Sequence, residues 1–175
     1  MTNHFEEIAA KSLNENVFKA FDDEWALITA GKEDSFNTMT ASWGTMGILW
    51  NKPVAIIFIR PHRYTLKFIE ENQFFTISFF TNEYKHILNY CGQHSGKEVD
   101  KMKETGLTPI FSNAGSVGFE EARLMIECHK IYTDEFKPDR FINKEILHRT
   151  YPNKDYHHIF VGEIEHCYIA KPESK

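Results

Sequence analysis

Apolar and polar positions alternate with period two along much of this chain, and the alternation stops at glycine and proline. The run Trp25 to Ala30 is rich in strand formers, Gly31 to Asp34 reads as a turn, and Phe36 to Trp43 follows, so the segment predicts a hairpin. In the second arm Phe36, Thr38, Thr40 and Ser42 share one face while Asn37, Met39, Ala41 and Trp43 share the other, which leaves one face rich in hydroxyls. Pro53 opens VAIIFIR, a continuous apolar run of the kind buried on both faces, which ends abruptly at Arg60 and Pro61. Short helices are predicted over Tyr64 to Asn72, Tyr84 to Cys91 and Asp100 to Thr105, the last two closed by Gly92 and Gly106. Phe74 to Phe80 reads as a strand between the first two helices, and Pro109 to Gly118 as a loop. Two long strands are predicted over Ala122 to Tyr132 and His158 to Ala170, with a bulge or bend at Gly162. Asp134 to Asp155 carries no clear pattern beyond room for a short helix, and Glu6 to Asp22 suits either a helix or an extended lead-in. Six or seven strands with short helices that do not alternate regularly with them predict a mainly β fold, a closed antiparallel barrel with helical decorations.

Length narrows this to one domain over residues 1–175, with 42% hydrophobic residues and 15 Phe for a core. A 26% charged fraction and the lack of any apolar run of about 18 residues argue against disorder and against a membrane helix. Glu6, Glu7 and Lys11 sit where a signal peptide would be apolar, so a cytoplasmic protein is expected. Cys91, Cys128 and Cys167 are odd in number and widely spaced, with no pair suited to a zinc site, and read as buried small hydrophobes. His86, His94 and His129 show no metal-ligand spacing, so no bound metal is expected. The net charge of −5, with lysine and arginine dispersed, gives no nucleic-acid surface.

Phosphate-loop, dinucleotide-binding, zinc-protease and nucleophile-elbow motifs are all missing, which removes the commonest cofactor and hydrolase readings. Three blocks remain at strand ends: NTMTASWG at 37–44, RPHRYT at 60–65 and CGQHSGKEVDK at 91–101. On their own, the hydroxyls of Thr38, Thr40 and Ser42 suit a solvated edge strand. Arg60 and Arg63 suit surface ion pairs with Glu70 and Glu71. Taken together and in this order, the blocks resemble the flavin reductase-like family of FMN-binding split barrels, particularly its flavoredoxin-like branch, over roughly residues 25 to 169.

The resemblance implies an antiparallel Greek-key barrel that forms a homodimer, with FMN held non-covalently near the subunit interface. It places Met39, Thr40, Ala41, Ser42 and Trp43 along the flavin. Arg60, Arg63, Tyr64, Thr65, Ser95 and Lys101 become its further cofactor-binding residues. His157, five residues before Gly162, aligns with a histidine that in relatives lies near the flavin and the nicotinamide donor. The residue types suit the ligand, because a phosphate monoester calls for hydroxyls, N–H donors and a guanidinium or ammonium. A flavin ring calls for backbone donors and acceptors beside apolar walls. His157 and His158, adjacent on a strand, cannot both face one ligand. The implied activity is NAD(P)H-dependent electron transfer through FMN to free flavin, ferric complexes or a redox protein. Two rivals are a flavoredoxin-like carrier that nicotinamide does not reduce, and the same barrel holding a pyridoxal-type cofactor or haem.

Overall fold

The hairpin expected after Trp25 is present: β2 (Ala26–Lys32) and β3 (Ser35–Ala41) pair from Ala26 opposite Ala41 to Lys32 opposite Ser35. In the computed structural model, which describes residues 4–112 and 114–172, the lead-in before it is part strand and part helix. Phe5–Ile8 form β1, and Val17–Lys19 form α1, capped by the Asn16 side chain and running on into a π turn over Ala20–Glu24.

Strand β4 (Gly44–Leu49) joins β5 (Lys52–Ile59) through Trp50 and Asn51, both in the left-handed region at φ 52° and 59°. Two such residues form the turn whose twist matches a hairpin. The sequence pattern does not reveal β4, because Gly44 and Gly47 lack side chains to show an alternation and none of the strand is fully buried. Its turn leaves Trp50 exposed, edge-on to Tyr132 at 6.1 Å.

α2 (Thr65–Glu71), β6 (Phe74–Phe79), α3 (Lys85–Gln93) and α4 (Lys101–Thr105) follow the expected order. Asp100 caps α4 by accepting from the N–H groups of Met102 and Lys103, and Gly106 ends it at φ 73°. The segment expected as a loop instead holds a small ribbon, β7 (Pro109–Phe111) against β8 (Val117–Phe119), three residues each and too short to register as a period. β9 (Leu124–Glu135), α5 (Lys144–Thr150) and β10 (His158–Ala170) complete the chain.

The strands pair antiparallel in the order β3-β2-β6-β9-β10-β5-β4, with β1 added to the far half of β10. β3 and β4 are thus opposite ends of the sheet path, yet only Ser42 and Trp43 separate them in the chain. The three steps from Ala41 to Gly44 span roughly 10–11 Å at most, so the sheet curls until its ends nearly meet, and among the described residues β3 and β4 do not pair. The result is the expected antiparallel barrel, left open at one seam. In β10 the register against β9 shifts between Val161 and Gly162, as the broken alternation anticipates, and again between Ile164 and His166.

Period two sends alternate residues of β2 into two cores. Ile28 joins Ile57, Ile77, Phe79, Ile126 and Phe160 inside the barrel, while Leu27 joins Leu88, Cys91, Phe119 and Met125 in a second cluster outside it. Among the described residues no helix is long and apolar enough to cross a membrane.

Gly44 opens β4 because nothing larger fits: a Cβ there would lie 2.3 Å from the Phe21 ring, which is 3% exposed. Gly44→Ala is therefore expected to destabilise the fold by about 1–3 kcal/mol through overpacking, read as a lower urea midpoint.

Candidate functional site

The seam is where polar chemistry collects. Met39, Thr40 and Ala41 at the end of β3, the link Ser42–Trp43, Phe58 and Arg60 at the end of β5, Arg63 before α2, and His157 before β10 enclose a cleft of about 180 Å3. Since β3 is an outer strand, its backbone groups on the side away from β2 have no strand partner. The Thr38 carbonyl accepts instead from Lys101 Nζ at 2.7 Å. Thr40 Oγ1 donates to the Leu88 carbonyl of α3.

Eight of the twelve residues expected at the site line this cleft: Met39, Thr40, Ala41, Ser42, Trp43, Arg60, Arg63 and His157. Tyr64 and Lys101 line a separate groove of about 670 Å3 with Asn37, Thr38 and Gly96. Thr65 is fully buried, its Oγ1 accepting from Asn37 Nδ2 at 2.7 Å. Ser95 lies outside both hollows, its Oγ accepting from the Lys97 N–H at 3.3 Å.

The two guanidiniums differ in their partners. Arg60 is paired with Asp155, donates to the Thr150 carbonyl at 3.1 Å and lies 5.3 Å from the Tyr151 ring centre. Arg63 donates to the Gly92 carbonyl at 2.6 Å and, among the described residues, has no carboxylate partner. Burial, then the charge of Arg60, pulls its proton affinity below the ordinary arginine value. Glu70 and Glu71 are engaged elsewhere, near His158 and Lys67. Lys101, 6% exposed, lies between the carbonyls of Thr38 and Cys91, and burial lowers its pKa. Cys91 beside it is sealed, its thiol pushed up to about 11 by burial and so unreactive.

His157 is 7% exposed, with Nδ1 2.8 Å from the Tyr151 hydroxyl and its ring 5.0 Å from that of Trp43. Burial, followed by the charge of Arg60, holds its pKa down at about 4, so the ring is neutral at pH 7. His158 turns the other way, toward Glu70, as the strand pleat requires. A histidine whose folded value lies near 4 against an unfolded 6.5 costs stability as pH falls from 6.5 through 4. Thermal midpoints across that window are expected to fall more steeply for the native chain than for His157→Gln.

Sequence reasoning missed Phe58, Tyr151 and Asp155. Phe58 was recoverable, since period two puts it on the same face as Arg60. Tyr151 and Asp155 lie in the patternless stretch before β10, and their roles arise only from contacts with His157 and with Arg60, 95 positions away. A larger chamber of about 770 Å3 also went unforeseen; it shares Ser42, Trp43 and Phe58 with the cleft.

Comparison with solved structures finds the same fold at low identity. Flavoredoxin from Methanosarcina acetivorans superposes with a TM-score of 0.69 at 24% identity, covering 97% of this chain and 78% of that one. Flavoredoxin of Desulfovibrio vulgaris (Miyazaki F) gives 0.67 at 24%, covering 90% and 74%. The FMN-binding protein from Thermus thermophilus, with bound p-hydroxybenzaldehyde, gives 0.65 at 23%, covering 82% and 69%. No curated protein matches the chain. Residues 18–175, nearly the whole sequence, match the profile of the flavin reductase like domain, and the chain belongs to that family.

Proposed function

We propose that this protein is an FMN-dependent oxidoreductase: it holds FMN non-covalently in the seam cleft and passes electrons from NADH or NADPH to free flavin, a ferric complex or a redox protein. The observation that carries the reading is the cleft itself, where two guanidiniums, a neutral imidazole, an unpaired strand edge and the Trp43 and Phe58 rings converge. That donor set fits the cofactor's phosphate and polar ring edge, and the adjoining chamber, which shares Ser42, Trp43 and Phe58 with the cleft, adds the space that about 180 Å3 lacks for the whole molecule. Arg63, lacking a carboxylate partner, suits a phosphate oxygen; the outer edge of β3 suits the polar rim of the ring system; Trp43 and Phe58 suit its flat faces. Bound there, FMN would supply the redox chemistry.

The chain's own groups position and exclude water. Asp155 and the Thr150 carbonyl hold Arg60 against the cleft, and the Tyr151 hydroxyl fixes the ring of His157. His157, neutral at pH 7, can donate or accept a hydrogen bond without adding a third positive charge. Exposed Phe18, Ile48, Trp50, Ile142 and Ile146 offer apolar surface for a homodimer, and a cytoplasmic setting completes the proposal.

The likeness to two flavoredoxins favours a second reading, a carrier that holds FMN permanently and takes electrons from a protein partner. The visible spectrum of the purified protein, before and after adding FMN and then NADH or NADPH without oxygen, separates the two. Bleaching by either nicotinamide supports the reductase, a persistent flavin band supports the carrier, and absence of flavin binding overturns both.

A further inference from the structure

Tyr151 is anchored at both ends of its backbone. Its N–H closes α5 on the Leu147 carbonyl at 3.0 Å, and its carbonyl accepts from the Lys154 N–H at 3.1 Å. The side chain is buried, with the rings of Phe141 at 5.7 Å and Phe136 at 6.4 Å beside it and the Arg60 guanidinium 5.3 Å from its centre. His157 is anchored too, since its carbonyl accepts from the Phe136 N–H at 3.1 Å. The Tyr151 hydroxyl and His157 Nδ1 therefore meet at 2.8 Å between two fixed backbones. Among the described residues Nε2 has no hydrogen-bond partner, which makes it the ring nitrogen left to a ligand in the cleft.

Only one hydrogen can lie between the two groups, and their chemistry decides whose it is. A bare imidazole nitrogen is a much stronger base than a phenol oxygen, and a phenol is a stronger acid than an imidazole N–H. Burial keeps Tyr151 protonated, while the charge of Arg60 and the backbone N–H of His157 polarise its hydroxyl. The hydroxyl thus donates to Nδ1, and the ring's own hydrogen sits on Nε2.

We infer that Tyr151 is a positioning residue that holds His157 as the Nε2–H tautomer, so that the ring presents a hydrogen-bond donor to a ligand carbonyl oxygen and does not act as a base. The tautomer follows from this chain alone, whereas its use rests on the FMN reading. Two oxygens of that reading are of the right kind, a flavin carbonyl and the carboxamide oxygen of the nicotinamide. Both are acceptors with no proton to give, so a donor is what they require. With Arg60, Arg63, His62 and Asp155 as the charged or titratable groups around the ring, a neutral donor serves such an oxygen without disturbing their balance.

The test is nitrogen NMR of the full chain with isotope-labelled histidine, flavin-free at pH 7, the His157 ring being identified by its loss in His157→Gln. A ring nitrogen that bears hydrogen and one that is bare resonate far apart, so the tautomer is read directly. The hydrogen is expected on Nε2 in the native chain and divided between both nitrogens in Tyr151→Phe. Phe141→Leu, which loosens the same aromatic cluster but keeps the hydroxyl, is expected to retain the native pattern. Hydrogen on Nδ1 in the native chain, or an unchanged pattern in Tyr151→Phe, would overturn the inference. A move of the Nε2–H resonance on loading FMN assigns the acceptor to the flavin, and a move only on adding oxidised nicotinamide nucleotide assigns it to the carboxamide. No move in either overturns the donor role. In the loaded protein His157→Leu is expected to slow bleaching by NADH or NADPH about tenfold or more. His157→Gln, whose amide N–H can replace Nε2–H, should keep most of the rate, and equal losses in the two would mean a base after all. FMN left unbound, or bound and bleached by neither nicotinamide, would instead remove the reading under Proposed function, and the flavin-free spectra would still decide the tautomer.

Discussion

Arg63→Met is expected to weaken FMN binding by roughly tenfold to a hundredfold, the worth of one charge-assisted hydrogen bond. It should do more damage than the same change at Arg60. Arg60 already has Asp155, and removing it leaves that carboxylate with His62 alone, 3.7 Å away, a loss of stability as well as of binding. Among the described residues Arg63 has only the Gly92 carbonyl, so its charge remains available to an anionic ligand. Arg63→Lys should recover part of the affinity, since it restores the charge without the planar fork. Spectral titration of both variants reads the effect, and an Arg63→Met affinity equal to the native one would show that the phosphate lies elsewhere.

Lys101→Met is expected to act mainly on stability. The ammonium donates to the carbonyls of Thr38 and Cys91 and so ties the open edge of β3 to the end of α3. Methionine fills similar space and relieves the desolvation of a buried charge, yet it leaves both carbonyls without their donor. Hydrogen bonds from charged donors are worth roughly 1.5–3 kcal/mol each, so a net loss of about 2 kcal/mol is expected. That corresponds to roughly 4–8 °C in thermal midpoint for a chain of this size. FMN affinity should fall less than in Arg63→Met. The reverse ranking would mean that the ammonium leaves its carbonyls when FMN binds.

Most of the barrel was legible because its central strands obey one rule. VAIIFIR announces β5 by unbroken hydrophobicity, and Gly162 announces the bulge of β10 by interrupting the alternation. β4 and the β7–β8 ribbon were not legible, for opposite reasons: β4 is exposed and glycine-interrupted, while β7 and β8 are too short for any period. In the site, the local pieces stood in the sequence as compact blocks, and the structure gathers eight of those residues around one cleft. What orients them did not. Asp155 reaches Arg60 only once β5 and β10 lie side by side, an adjacency that no spacing along the chain encodes, and Tyr151, six positions before His157, lies in a stretch with no period to show that the two face each other.

The position of β10 bears on how the molecule is made. Its first half pairs with β5, its last residues pair with β1, and β9 runs along its other side. Until residue 158 and those beyond it leave the ribosome, the chain can form two separate ribbons, β3-β2-β6-β9 and β5-β4, with no strand to bridge them. Vectorial synthesis thus delays the seam until β10 has emerged, since its two sides belong to different ribbons. Cofactor loading would follow the emergence of β10, and until then the exposed edges of β5 and β9 would be the surfaces most in need of shielding from other nascent chains.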